Sequence, residues 1–140
     1  MAFLLDTNIV GETTKPRPED RVLSWLSDQT PGDLFLASMT IGELARGAHR
    51  LKDAARRQIY ERWIEEDLVM QFEGRILPFD QSAASIWGKI MGEGDRAGRT
   101  RPAADAQIAA VARCHNLTLV TRNLKDFRSM GVTLFDPWSN

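Results

Sequence analysis

Short, mostly apolar runs recur along this chain, and each is separated from the next by a longer amphipathic stretch. The runs are Ala2–Leu5, Leu34–Ala37, Arg75–Leu77, Leu117–Val120 and Val132–Phe135. A strand with one wet face alternates apolar and polar residues; these do not, so they read as strands buried on both faces. The intervening stretches carry the 3.6-residue apolar period of helices: about Glu19–Ser27, Ile41–Leu51, Ala54–Phe72, Ser82–Gly94, Ala103–His115 and Leu124–Ser129. Strands alternating with helices predict a parallel sheet covered on both faces, a three-layer α/β domain. Lys15–Pro18 and Thr30–Gly32 read as loops, Gly131 as a helix C-cap, and Gly92–Pro102, with three arginines, as the most flexible segment.

At 140 residues the chain fits a single domain over residues 1–140. Apolar residues make up 43% and charged residues 26%, enough for a core and a well-solvated surface. No apolar run approaches the roughly 20 residues of a membrane helix, and Asp6 interrupts the apolar N-terminus with no basic segment before it. A cytoplasmic protein without a membrane partner is expected. The lone Cys114 permits no internal disulfide, and with His115 it is too little for a structural zinc site. Eighteen basic and 19 acidic residues give a net charge of −1, which argues against a protein that coats long nucleic acid but allows one local basic groove.

In an open parallel sheet, ligands bind beyond the carboxyl ends of the strands. The polar residues that follow the strands are Asp6, Thr7 and Asn8; Ser38, Thr40 and Glu43; Asp80; and Thr121, Arg122, Asn123 and Asp126, while Asp105 opens the helix before the fourth strand. Each acid also has a structural reading. Thr40–Glu43 fits a capping box, Asn123 a helix cap with Asp126 in the first turn, Asp105 another first-turn acid, and Asp6 a turn residue. Asp80 reads as a cap before Gln81. Asp105, however, shares a helical stripe with Ile108, Ala109 and Ala112, and Asp6 ends an apolar strand. A carboxylate on an apolar face needs a partner or a metal, and no lysine or arginine is an obvious partner for both. If Asp6, Glu43, Asp105 and Asp126 converge, a divalent cation would relieve their repulsion. Hard Mg²⁺ or Mn²⁺ prefers such oxygen ligands and can activate water for phosphodiester hydrolysis. Thr7 and Thr121 could orient ligands from behind or make local turn bonds.

The segments Leu4–Asn8 (LLDTN), Ser38–Gly47 (SMTIGELARG), Ala104–Ala110 (ADAQIAA) and Leu119–Phe127 (LVTRNLKDF) resemble, in order, the four blocks of a PIN domain. Ile76–Asp80 (ILPFD) and Phe135–Trp138 (FDPW) are most similar to the FitB branch of VapC-type toxins. The resemblance covers essentially the whole chain. It implies a Rossmann-like parallel sheet of about five strands and Mg²⁺- or Mn²⁺-dependent cleavage of RNA by the toxin of a type II (VapBC-like) toxin–antitoxin pair. It also implies a small VapB/FitA-like antitoxin and a homodimer or higher assembly. It places metal-binding, catalytic acids at Asp6, Glu43, Asp105 and Asp126, with Thr7, Asn8 and Thr121 behind them. Family members differ at the fourth position, where the acid can stand at the place of Asn123.

Arg46, Arg99 and Arg101 are candidate RNA contacts, with Arg96 and Arg50 beside them; each can also be a solvated surface charge. Trp25, Trp63, Trp87 and Trp138 read as core or interface residues. A haloacid dehalogenase-type phosphatase needs an acid where Asn8 stands, and a nucleotide-binding protein needs a glycine-rich loop where Asp6-Thr-Asn stands. Two alternatives stay open: a non-catalytic PIN-like module that binds RNA or protein, and a DNA-directed metal nuclease.

Overall fold

All five apolar runs form strands in the computed structural model, which describes residues 1–139; Asn140, the last residue of the expected domain, lies outside the described residues. They are β1 (Phe3–Leu5), β2 (Leu34–Ala37), β3 (Ile76–Leu77), β4 (Thr118–Val120) and β5 (Leu134–Phe135). Every pairing is parallel, in the order β3-β2-β1-β4-β5. The register sets Leu4 beside Phe35 and Leu119, and Leu119 beside Leu134. The chain winds outward from β1 in both directions, so the switch point of this Rossmann-like sheet lies between β1 and β4, where a crevice opens.

Successive strand residues face opposite layers, so each strand feeds two cores. Leu4, Ala37 and Leu119 enter one core with Ile90, Ile108 and Val111, while Phe3, Leu5, Leu36 and Val120 enter the other with Ile9, Val22 and Leu68. Leu4, Leu36, Leu119 and Val120 are fully buried, each gaining about 1.5–3 kcal/mol over exposure. The first core lies under α6 (Gln81–Arg96) and α7 (Ala103–Cys114). Small residues at Ala106, Ala109, Ala110 and Ala112, all buried, let α7 lie close to the sheet and to α6. The second core is covered by α1 (Thr7–Glu12), α2 (Asp20–Asp28) and a wide helical turn.

Several elements differ from expectation. α1 is an extra helix of six residues, too short to show a period, that buries Ile9 and Val10. α3 (Ser38–His49) starts directly after β2, three residues earlier than its apolar period. The stretch expected as one helix over 54–72 is α4 (Ala54–Arg62), a π-helical segment (Trp63–Leu68) and α5 (Val69–Gln71). The wide segment turns both Ile64 and Leu68 into the protein. Of the stretch Gly92–Pro102, expected as the most flexible segment, Gly92–Arg96 is the end of α6 and the rest is non-helical; Gly94 lets the backbone that follows approach closely. A Cβ there would lie 2.6 Å from the Arg99 carbonyl oxygen. The last helix is α8 (Leu124–Phe127). Gly131 has φ 71°, a left-handed conformation that favours glycine, but it ends the turn after α8 and is not its cap, since Arg128 holds the C-cap position. Among the described residues, no helix is long and apolar enough to cross a membrane.

Candidate active site

Asp6 stands at the carboxyl end of β1 and caps α1: its Oδ1 accepts from the Thr7 backbone N–H at 2.8 Å. From β4, on the other side of the switch point, the Thr121 hydroxyl donates to Asp6 Oδ2 at 2.7 Å. That hydroxyl accepts in turn from Asn8 Nδ2 at 3.3 Å and from the Asn123 backbone N–H at 3.0 Å, which fills its one donor and two acceptor places. Asn8 also donates to Asp6 Oδ2 at 3.4 Å and accepts from the Arg122 backbone N–H at 3.3 Å. Thr7, Asn8 and Thr121 thus fix the orientation of Asp6 and tie the ends of β1 and β4 together.

The capping-box reading of Thr40 and Glu43 does not hold. Ala37 occupies the N-cap of α3, and Thr40 lies inside the helix, fully buried. The Glu43 Oε1 instead accepts from the Thr7 hydroxyl at 3.0 Å. Nor does Asn123 cap α8 with its side chain; the Thr121 hydroxyl takes that role for its N–H. Asp80 does cap α6, accepting from the Ala83 N–H at 3.1 Å.

Electrostatics joins the four acids. Burial pushes the Asp6 carboxyl above its ordinary value, opposed by its bonds to Thr121 and Thr7 and reinforced by the charge of Asp126. Glu43 is raised by partial withdrawal of its carboxylate from water and by Asp6, against its bond to Thr7. Asp105 is pushed up to about 6, first by desolvation and then by the charges of Asp6, Asp126 and Glu43. Asp126 is exposed on α8. The ion pairs among the described residues are Lys15–Glu12, His49–Glu61 and Arg101–Glu93, so none of the four acids has a cationic partner there.

An all-oxygen set of unpaired, mutually repelling carboxylates fits a hard divalent cation. Among the described residues, no three His, Cys, Asp or Glu side chains stand close enough together to cage one ion.

The expected RNA contacts separate. Arg46 and Arg99 are exposed. Arg101 is not free for RNA: it is mostly buried, donates to the Ile90 carbonyl at 2.6 Å and faces Glu93 at 3.9 Å, so it braces the α6–α7 connection. Trp25 packs with Phe3 and Phe135 in the core, as expected. One buried acid escaped the sequence reading. Glu12 accepts from Lys15 Nζ at 2.8 Å and from the Glu19 N–H at 2.9 Å; an acid ending a short unrecognised helix gives no periodic signal.

The PIN domain family matches residues 3–132. The chain belongs to the PIN domain family. It is 36% identical over 136 residues to the toxin FitB of Neisseria gonorrhoeae, covering 97% of this chain and 98% of that one. A tRNA(fMet)-specific endonuclease VapC of Shigella flexneri is 31% identical over 139 residues, covering 99% of both. The crystal structure of FitAcB from Neisseria gonorrhoeae superposes with a TM-score of 0.93 at 36% identity, covering 99% of each chain. The PIN fold expected from the sequence, an α/β parallel sheet of five strands flanked by helices, is the fold observed.

Proposed function

We propose that residues 1–140 act as one PIN domain, a Mg²⁺- or Mn²⁺-dependent endoribonuclease that serves as the toxin of a type II toxin–antitoxin pair. The observation that carries this reading is the group of four coupled carboxylates, without cationic partners among the described residues, at the switch point of the sheet. The relatives named as toxins and as ribonucleases support it. In this reading Asp6, Glu43, Asp105 and Asp126 hold the metal and are the catalytic residues.

A divalent ion held there supplies positive charge that acidifies a water and offsets charge gathering on the leaving oxygen. The chain's own part is positioning. Thr121, Asn8 and the Thr7 N–H hold Asp6 in one orientation, and the Thr7 hydroxyl holds Glu43. Asp105 starts α7 on the stripe of Ile108 and Ala109, anchored to the sheet, so its carboxylate is carried on a rigid element. Arg46 and Arg99 remain available to phosphates.

The partners in this reading are RNA, a small VapB/FitA-like antitoxin and a second copy of the chain, in the cytoplasm. The deciding experiment is cleavage of a mixed RNA pool by antitoxin-free protein, with Mg²⁺, Mn²⁺ or EDTA, alongside Asp6→Asn and Asp105→Asn. Metal-dependent cleavage lost in both variants is expected. Cleavage that survives EDTA or either substitution would refute the assigned site, and a preference for DNA would refute the toxin assignment alone.

A further inference from the structure

Beside the acids lies a cleft of ≈ 400 Å³ of opposite charge, lined in part by Asn8, Lys15, Arg56, Tyr60, Arg122 and Trp138. Asn8 is a shared wall: its side chain bonds Asp6 on one side and borders the cleft on the other. Three cations line the cleft against one carboxylate, Glu12.

Two of these cations are held in place. Glu12 is buried and grips Lys15 Nζ at 2.8 Å, and its charge also faces Arg122. The Arg122 guanidinium lies over the Trp138 ring, 5.2 Å from its centroid, while its backbone N–H is bonded to Asn8. Trp138 is itself fixed: its N–H donates to Asp136 Oδ1 at 2.8 Å, and its carbonyl accepts from Arg21 at 3.1 Å. Cation–π contact with a fixed indole restrains the guanidinium, whose fork of N–H donors suits bidentate phosphate binding.

We propose that this cleft grips the phosphate backbone of the RNA strand next to the scissile bond, with Arg122 and Arg56 as phosphate contacts and Trp138 as the positioning residue for Arg122. The need is physical. Four carboxylates repel a polyanion, and a chain of net charge −1 has no general attraction for one, so the strand must be held by a local cationic surface. This cleft shares Asn8 with the acids, whereas Arg101 is engaged with Ile90 and Glu93. The inference rests on the ribonuclease reading and names how that site takes its substrate.

The test is fluorescence anisotropy of full-length protein with a labelled single-stranded RNA of mixed sequence, in EDTA so that binding is read without cleavage, repeated across a salt series. Arg122→Gln keeps the backbone bond from residue 122 to Asn8, and Arg56→Gln changes an exposed side chain on α4. Lys15 is left intact because it neutralises buried Glu12. Each arginine variant should bind about tenfold more weakly. Each should also lose about 0.7 from the slope of log affinity against log salt, the value of one single-strand phosphate. Trp138→Leu should weaken binding less than Arg122→Gln, and adding it to Arg122→Gln should cost nothing more. Lys89→Gln, on the exposed face of α6 and outside the cleft lining, should bind as wild type. In Mg²⁺, the arginine variants should show a raised KM with kcat nearly unchanged. Wild type that cleaves RNA while both arginine variants keep its affinity and salt slope would overturn the cleft and leave the nuclease standing. Wild type that neither binds nor cleaves RNA would overturn both.

Discussion

Replacing Asp105 with asparagine should stabilise the metal-free protein, although it removes a residue assigned to catalysis. Asp105 titrates near 6 in the folded chain, against an ordinary value of 3.8. The folded state therefore holds this proton more tightly than the unfolded state. Stability is lost as pH rises from about 4 through about 6, and the deficit persists above that. At about 1.36 kcal/mol for each tenfold change, the unscreened penalty at pH 7 would be about 3 kcal/mol. Asp105 is only partly buried, and solvent screens the repulsion, so about 1 kcal/mol is the working value. For a chain of this length that corresponds to a rise of roughly 3 °C in Tm. The assay is thermal unfolding by circular dichroism in EDTA, wild type against Asp105→Asn, from pH 4 to pH 7.5. The variant should match wild type at pH 4 and pull ahead as pH rises. Asp6→Asn should not behave this way, because both Asp6 oxygens accept hydrogen bonds and an amide must turn its NH₂ toward a donor. Equal Tm values for wild type and Asp105→Asn at pH 7, or a gap that widens toward pH 4, would show that Asp105 is not under electrostatic strain.

Titrating Mg²⁺ into wild type should raise its Tm, by about 2.7 kcal/mol of stabilisation at a hundredfold excess over Kd, with little gain in Asp105→Asn; differential scanning fluorimetry reads this directly. Thr121→Val removes a hydroxyl that serves Asp6, Asn8 and Asn123 at once, so it should cost about 1–3 kcal/mol in urea unfolding and reduce kcat. Gly94→Ala forces a methyl group against the Arg99 carbonyl and should lower stability by about 1–3 kcal/mol, seen as a lower urea midpoint at constant slope. Arg101→Gln should lower stability yet leave RNA affinity unchanged, since its guanidinium is engaged with Ile90 and Glu93.

The sequence made the sheet legible because buried strands leave an unbroken apolar signature at Phe3–Leu5 and Leu34–Ala37, and one broken only by Thr118 at Leu117–Val120. Asp105 was legible for a related reason, as a charge on the buried stripe of α7. The strand order was not, because pairing of β1 with β4 is a tertiary fact with no local trace. Helix α1 was missed because six residues complete less than two turns. At Glu43 a real local pattern pointed elsewhere: Thr40 and Glu43 have capping-box spacing, but α3 begins before them and burial of Thr40 decides the register. The cationic cleft was invisible for another reason. Its residues come from Asn8, Lys15, Arg56, Arg122 and Trp138, which only folding brings together.

The two outermost strands, β3 and β5, are each two residues long. An exposed strand of that length offers an incoming chain at most a rung or two of backbone hydrogen bonding, too little to template an added strand. Recognition by strand addition is therefore closed to this molecule at either flank. Any protein that restrains it must take hold through side chains on helices and in clefts, where single substitutions can retune the fit.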